Sequence, residues 1–296
     1  MFKQLCYILT CLCFINHAVA QDIDDAKAHA IIRNGTIKEL QNLLKSGYDI
    51  DRVYQCQTLL TAAIKSAAEN PITRSSPQNA LTKIQILLDN GANYNQEPCP
   101  NESLRPIFWA ISLPYLLQQT ENELNQMLEN DIQNGTEYCD IPNIISKPCK
   151  EISEDELQQI RQYIHKTTQK ALKDLNPYFT KIMKLLLSRH VDLKKTDGKH
   201  QTVLHYAAAL PPEITTKPLE ILLQKGIFVD PQNDAGQTPL FFAYGIKNKR
   251  AVNLLLNAGA DLTMRDKNQM LYNQTKSVII HPNSYKDGAL SIELEN

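Results

Sequence analysis

Apolar residues in this chain fall into short clusters at helical spacing, arranged in pairs that recur along the sequence. The first cluster of each pair is brief and contains a small residue: Leu59, Leu60 and Ala63; Ile107, Phe108 and Ala110; Val203, Leu204 and Ala207; Leu240, Phe241 and Ala243. The second carries more aliphatic bulk, as in Ile84-Gln85-Ile86-Leu87-Leu88, Ile182 to Leu187, Leu219-Glu220-Ile221-Leu222-Leu223 and Val252-Asn253-Leu254-Leu255-Leu256. A stripe recurring every three to four residues predicts a helix with one apolar face. Neither helix of a pair can bury its stripe alone, and the Ala positions let the next helix come close. The pattern therefore predicts helix pairs stacked on one another.

The punctuation agrees. Each short cluster opens on a four-residue signature: Thr58-Leu59-Leu60-Thr61, Arg105-Pro106-Ile107-Phe108, Thr202-Val203-Leu204-His205 and Thr238-Pro239-Leu240-Phe241. A Thr at a helix start can accept a bond from an orphan N–H, and Pro suits the first turn, where no N–H is needed; Thr238-Pro239 is expected to do both. Gly91, Gly226 and Gly259 end the second helices, where positive φ is favoured.

These residues resemble the ankyrin repeat. The copy AGQTPLFFAYGIKNKRAVNLLLNAGADLTMRD, residues 235 to 266, is similar to a nearly complete unit, with Phe241 in place of the usual His and Lys247 in place of the usual Gly. The copy at Thr202 keeps His205 but has Val203 for Pro. The first unit, Ala28 to Asp51, retains NGTIKELQNLLKSGYDID, in the manner of an N-terminal cap. The resemblance implies an all-α solenoid of about five helix-turn-helix units with β-turn fingers, covering most of residues 24 to 266. It also implies a protein-binding role through the turns and the exposed side of each first helix, for which Tyr54, Gln57, Lys65, Lys199, Gln201, Asp234 and Gln237 are the candidates. The plainer reading of each is a solvated side chain.

Residues 1–20 read as a signal peptide: Lys3, an apolar run from Leu5 to Ile15, then Ala18-Val19-Ala20, with mature protein from Gln21. That run is shorter than the roughly 20 residues a membrane span needs. Export to a periplasm or beyond changes the cysteine reading, because Cys6, Cys11 and Cys13 leave with the signal and Cys56, Cys99, Cys139 and Cys149 remain. Four cysteines allow three connectivities. Cys56–Cys99 and Cys139–Cys149 are favoured, the first because its members sit in turns that project side by side from adjacent units, the second because it closes a short turn-rich loop. A zinc site is the poorer reading, since no Cys-x-x-Cys pair occurs.

Spacing reveals an interruption. From Arg105 to Thr202 is far longer than the 36 residues from Thr202 to Thr238. Insertion is preferred over degenerate repeats, because neither the signature nor a Gly-Ala-Asp ending lies between. Residues 105–113 and 177–192 supply the unit's own helices. Within an inserted arm, about 116–175, Leu116 to Ile132 and Ser153 to Leu175 read as further helices, the second opened by a Ser153/Glu156 capping box. The arm is either a contact surface or a cover for one face of the solenoid. Residues 267–296 read as a cap or a tail.

Charge adds little: 31 basic against 32 acidic residues, with no basic cluster interleaved with aromatics, predicts no nucleic-acid partner. Chemistry is equally sparse. The mature histidines, His29, His165, His190, His200, His205 and His281, form no H-E-x-x-H, and no P-loop, G-x-S-x-G or G-x-G-x-x-G occurs. A His200/His205 metal pair competes with the reading of His205 as a bond between turns. Asp22, Asp24 and Asp25 read as caps of the first helix, and Trp109, Tyr206 and Phe242 as core rather than an aromatic ligand strip. Asn34, Asn101, Asn134 and Asn273 begin N-x-S/T sequons. The expectation is a monomeric, non-catalytic protein without cofactor or metal, which binds another protein and is most plausibly an inhibitor or immunity-type protein of a bacterial periplasm. The alternatives are a periplasmic scaffold or stress-protective protein, a secreted effector, or an enzyme with a site around Glu154, Glu156 and His165.

Overall fold

A computed structural model of the chain describes residues 25–68, 77–99, 104–141, 144–212, 216–274, 277–281 and 291–295. The signal segment and Asp22 and Asp24 lie outside these residues. Ten helices make five consecutive pairs among them: α1 (25–34) with α2 (Ile37–Lys45), α3 (Leu59–Ser66) with α4 (Pro77–Asp89), α5 (Pro106–Gln133) with α6 (Glu154–Leu187), α7 (Val203–Ala208) with α8 (Lys217–Leu223), and α9 (Pro239–Gly245) with α10 (Lys249–Asn257). From the second pair onward the first helices pack in a row, α3 on α5 on α7 on α9, and the second helices α2, α4, α6, α8 and α10 form a parallel row outside it. One hydrophobic core runs through both rows, from Ala28 and Ile32 to Ala251 and Leu255. The small residues Ala63, Ala110, Ala207 and Ala243 are all buried in the inner row, where they permit the close approach the pattern predicts.

Capping follows the local sequence with one correction. Thr58 Oγ1 accepts from Thr61 N at 3.2 Å while Thr61 Oγ1 accepts from Thr58 N at 2.8 Å, and Thr202 and His205 make the same reciprocal box. Thr238 does not cap α9 with its side chain, although Pro239 occupies the first turn as expected. Phe241, three places on, has no polar atom, so α9 also lacks the return bond that Thr61 and His205 make to their caps.

The inserted arm is helical, but its helices are continuous with those of the third pair. It lengthens both helices of the third pair. α5 runs unbroken through Pro114 for 28 residues and α6 through Pro177 for 34. Each Pro removes one backbone bond, at a cost of about 3 kcal/mol in a helix interior. Burial of Leu113, Leu117, Leu172, Leu175 and Phe179 around the two positions keeps the helices whole. Beyond the solenoid the two helices share a second, smaller core of Leu128, Leu157, Ile164, Cys139 and Cys149. The tip is a two-stranded antiparallel ribbon, β1 (Cys139–Ile141) with β2 (Ile145–Lys147), and Cys139 is bonded to Cys149 with Cα atoms 5.0 Å apart.

At the far end, strands β3 (Ser277–His281) and β4 (Ser291–Glu295) form an antiparallel pair beside α9, extending the inner row.

Candidate protein-binding surface

The turns that precede α7 and α9, and the turn at 266–270, are built on one repeated device. Asp197 Oδ1 accepts from the backbone N–H of Lys199 at 2.9 Å and of Gln201 at 2.7 Å. Asn233 Oδ1 does the same for Ala235 and Gln237, and Asp266 Oδ1 for Asn268 and Met270. A short side-chain acceptor five residues before the helix signature thus rigidifies the fingers of the fourth and fifth units. This spacing was available in the sequence as Asp197/Thr202 and Asn233/Thr238, and it is the signal that composition and periodicity passed over.

Adjacent fingers are then bonded to one another. Asp234 N donates to Lys199 O at 3.0 Å and Lys267 N to Ala235 O at 2.9 Å. The fastening between neighbouring units differs along the last three steps. Between the second and third units it is covalent, Cys56 to Cys99, with Cα atoms 5.2 Å apart. Between the third and fourth, Arg105 Nη1 donates to Thr196 O at 2.7 Å while its other terminal nitrogen pairs with Glu97. Between the fourth and fifth it is His205, whose ring lies between the Thr202 N–H and Gln237 O, both at 3.0 Å. Because Nδ1 faces an N–H, Nε2 carries the proton and donates to the carbonyl; the ring is neutral, and burial holds its pKa down at about 4.

The binding candidates divide accordingly. Gln201 and Gln237 are 1% and 5% exposed, so the sequence expectation that they face a partner is corrected: the finger closes around them once Asp197 and Asn233 take their N–H groups. Asp234 is exposed and meets His200 Nδ1 at 2.8 Å, which brings Lys199, His200 and Asp234 together across two fingers. Tyr54 and Gln57 are half-buried and pair with each other through a backbone bridge, with the Tyr54 ring 5.3 Å from that of His29. Lys65 lies over Trp109, 4.5 Å from its ring centroid. Trp109, Tyr206 and Phe242 are core, and Tyr206 and Phe242 contact Phe108 and His205 edge-on.

The residues singled out for chemistry do not converge. Glu156 is held to about 2 by the Ser153 N–H first and then by Lys147, which is the signature of a cap. His165 meets Glu121 at 2.8 Å on the exposed side of the arm and lies nine residues from Glu156 on one helix, roughly 13 Å along its axis. His200 and His205 have separate partners, Asp234 and Gln237. Asp25 is not a solvent-facing cap: it is 2% exposed, accepting from Tyr48 Oη at 2.8 Å and Arg52 Nε at 2.6 Å. Those two donors, 23 and 27 residues away, make burial of the carboxylate tolerable and tie α1 to the first finger. Lys83, which periodicity could not single out, is also buried: its ammonium donates to Ile31 O and Ile32 O at 3.0 and 2.7 Å, closing the C-terminal end of α1, where a cation is favoured.

Residues 171–266 match the model described as ankyrin repeats, in three copies. This stretch is similar to the ankyrin repeat. A crystal structure of an ankyrin repeat domain from Acinetobacter baumannii AYE superposes with a TM-score of 0.50 at 18% sequence identity, covering 84% of this chain and 88% of that one. No curated protein matches the chain. The chain has the all-α fold of an ankyrin-repeat solenoid, and repeats of that kind are protein–protein interaction modules. No helix among the described residues is long and apolar enough to cross a membrane.

Proposed function

We propose that this ankyrin-repeat protein is an exported, non-catalytic binder of another protein, acting as an inhibitor or immunity-type protein of a bacterial periplasm. The observation that carries the reading is the arm. Its outer half has its own core and a disulfide-joined tip, and the solenoid core is continuous without that half. An ordered element that the stack does not require for its own burial is suited to contact. The two disulfides support an oxidising compartment, and the bonded fingers present Lys199, His200 and Asp234 with little ordering entropy left to lose.

The test uses mature protein from Gln21 with its disulfides intact. A partner enzyme recovered from periplasmic extract or from neighbouring gene products is purified and titrated by calorimetry, with its activity followed in parallel. A 1:1 complex with suppressed activity supports the proposal. A complex in which the enzyme keeps its activity points to the scaffold reading. Failure to form any complex overturns both. Loss of binding in Lys199→Ala/Asp234→Arg assigns the contact to the fingers, and loss on shortening the arm assigns it there.

A further inference from the structure

The last repeat carries a cavity of about 570 Å³, within the range of small-molecule sites. Tyr244 and Val252 give it apolar walls, with the Tyr244 ring steadied edge-on by Tyr272 at 5.3 Å. Lys247 and Lys249 are among its lining residues, and among the described residues neither is placed in an ion pair or hydrogen bond through its side chain. Asn253 and Asn273 supply amides, and Lys249, Val252 and Asn253 belong to the start of α10, whose N-terminal end favours negative charge.

The backbone gives a second, independent observation. Lys247 sits at φ +58°, a left-handed conformation that glycine adopts without strain, in the copy whose expected residue there is glycine. The chain carries a lysine where its own turn would be better served by a residue with no side chain. That side chain lines the cavity. Strained backbone positions cluster at ligand sites.

We propose that this cavity binds a small organic anion: an apolar, preferably aromatic body against Tyr244 and Val252, with a carboxylate, sulfonate or phosphate held between Lys247 and Lys249. The site is separate from the fingers and the arm, so it stands or falls apart from the protein-binding proposal.

The probe is 8-anilino-1-naphthalenesulfonate, titrated by fluorescence into the mature protein, against N-phenyl-1-naphthylamine, the same body without the sulfonate. The expected result is saturable 1:1 binding of the sulfonate, at least fivefold tighter than the neutral compound and weakened at least fivefold in Lys247→Gly/Lys249→Gln. That variant relieves strain, so its thermal midpoint is expected at or above that of the parent. If its midpoint falls instead, Val252→Trp, which fills the cavity, decides by the same fivefold criterion. No saturable binding, equal binding of the two probes, or unchanged affinity in the deciding variant overturns the proposal.

Discussion

Protonating His205 should destabilise the solenoid by an amount that the structure allows to be worked out. In the folded chain the ring is buried and neutral, its Nδ1 facing the Thr202 N–H and its Nε2–H donating to Gln237 O, with a pKa of about 4 against an ordinary 6.5. The unfolded chain therefore binds more protons between those two values, so stability from this residue is fully present above about 6.5 and is lost as pH falls toward about 4. At 1.36 kcal/mol per tenfold the whole effect is about 3 kcal/mol, of which about 2 kcal/mol is gone by about pH 5. The assay is urea unfolding at a series of pH values between roughly 7.5 and 5, for the parent and for His205→Gln. Glutamine keeps one donor and one acceptor but cannot titrate. Burial also lowers the pKa of His29, and that contribution has the same sign, so the difference between the two proteins isolates His205. The parent should lose about 2 kcal/mol more than the variant over this interval. Parallel profiles, differing by a constant, would refute the account of His205 as a neutral strut between fingers.

Three further outcomes are expected. Cys56→Ser/Cys99→Ser should lower unfolding free energy by about 4 kcal/mol on the chain-entropy model for a separation of 43 residues, read by denaturant unfolding with and without reductant; a loss below about 1 kcal/mol would mean the fingers are held without the bond. Lys83→Met should cost about 1–3 kcal/mol by leaving the Ile32 carbonyl unmet and Ile31 O with the Gly35 N–H alone, seen as a shifted urea midpoint, and an unshifted midpoint would show that water replaces the ammonium. Replacing residues 119–170 by a short Gly-Ser linker should leave a cooperatively unfolding solenoid, because the residues that join the main core, Leu117 and Leu172 among them, remain; loss of the cooperative transition would mean that the arm is part of the fold.

The repeat was legible because its grammar is local: a cap, a small residue and an aliphatic stripe each declare themselves within a few positions. What stayed hidden depended on partners distant in sequence. Nothing near Lys83 announces that its ammonium meets carbonyls 51 and 52 residues earlier, and Asp25 looked like a cap until Tyr48 and Arg52 were placed beside it. Residues 105–113 and 177–192 read as helices distinct from those of the arm, and it is the packing of α5 along α6 that carries them through Pro114 and Pro177 as single helices. Gln201 and Gln237 were misread for the opposite reason: a polar residue in a turn suggests solvent, but here the turn's own hydrogen bonds fold it inward.

Because α5 and α6 are lengthened repeat helices with no joint between stack and arm, the arm is a lever whose fulcrum is the third repeat. From Pro114 to Gln133 is 20 residues, roughly 30 Å of helix, so a change of about 5° in the tilt of that repeat sweeps the tip by about 2.6 Å. Its neighbours are fastened unequally, by a covalent bond on one side and by Arg105 on the other. Breaking either fastening would move the ribbon at Cys139–Cys149 before it altered any residue there, and a label at the tip would read out the tension in the stack.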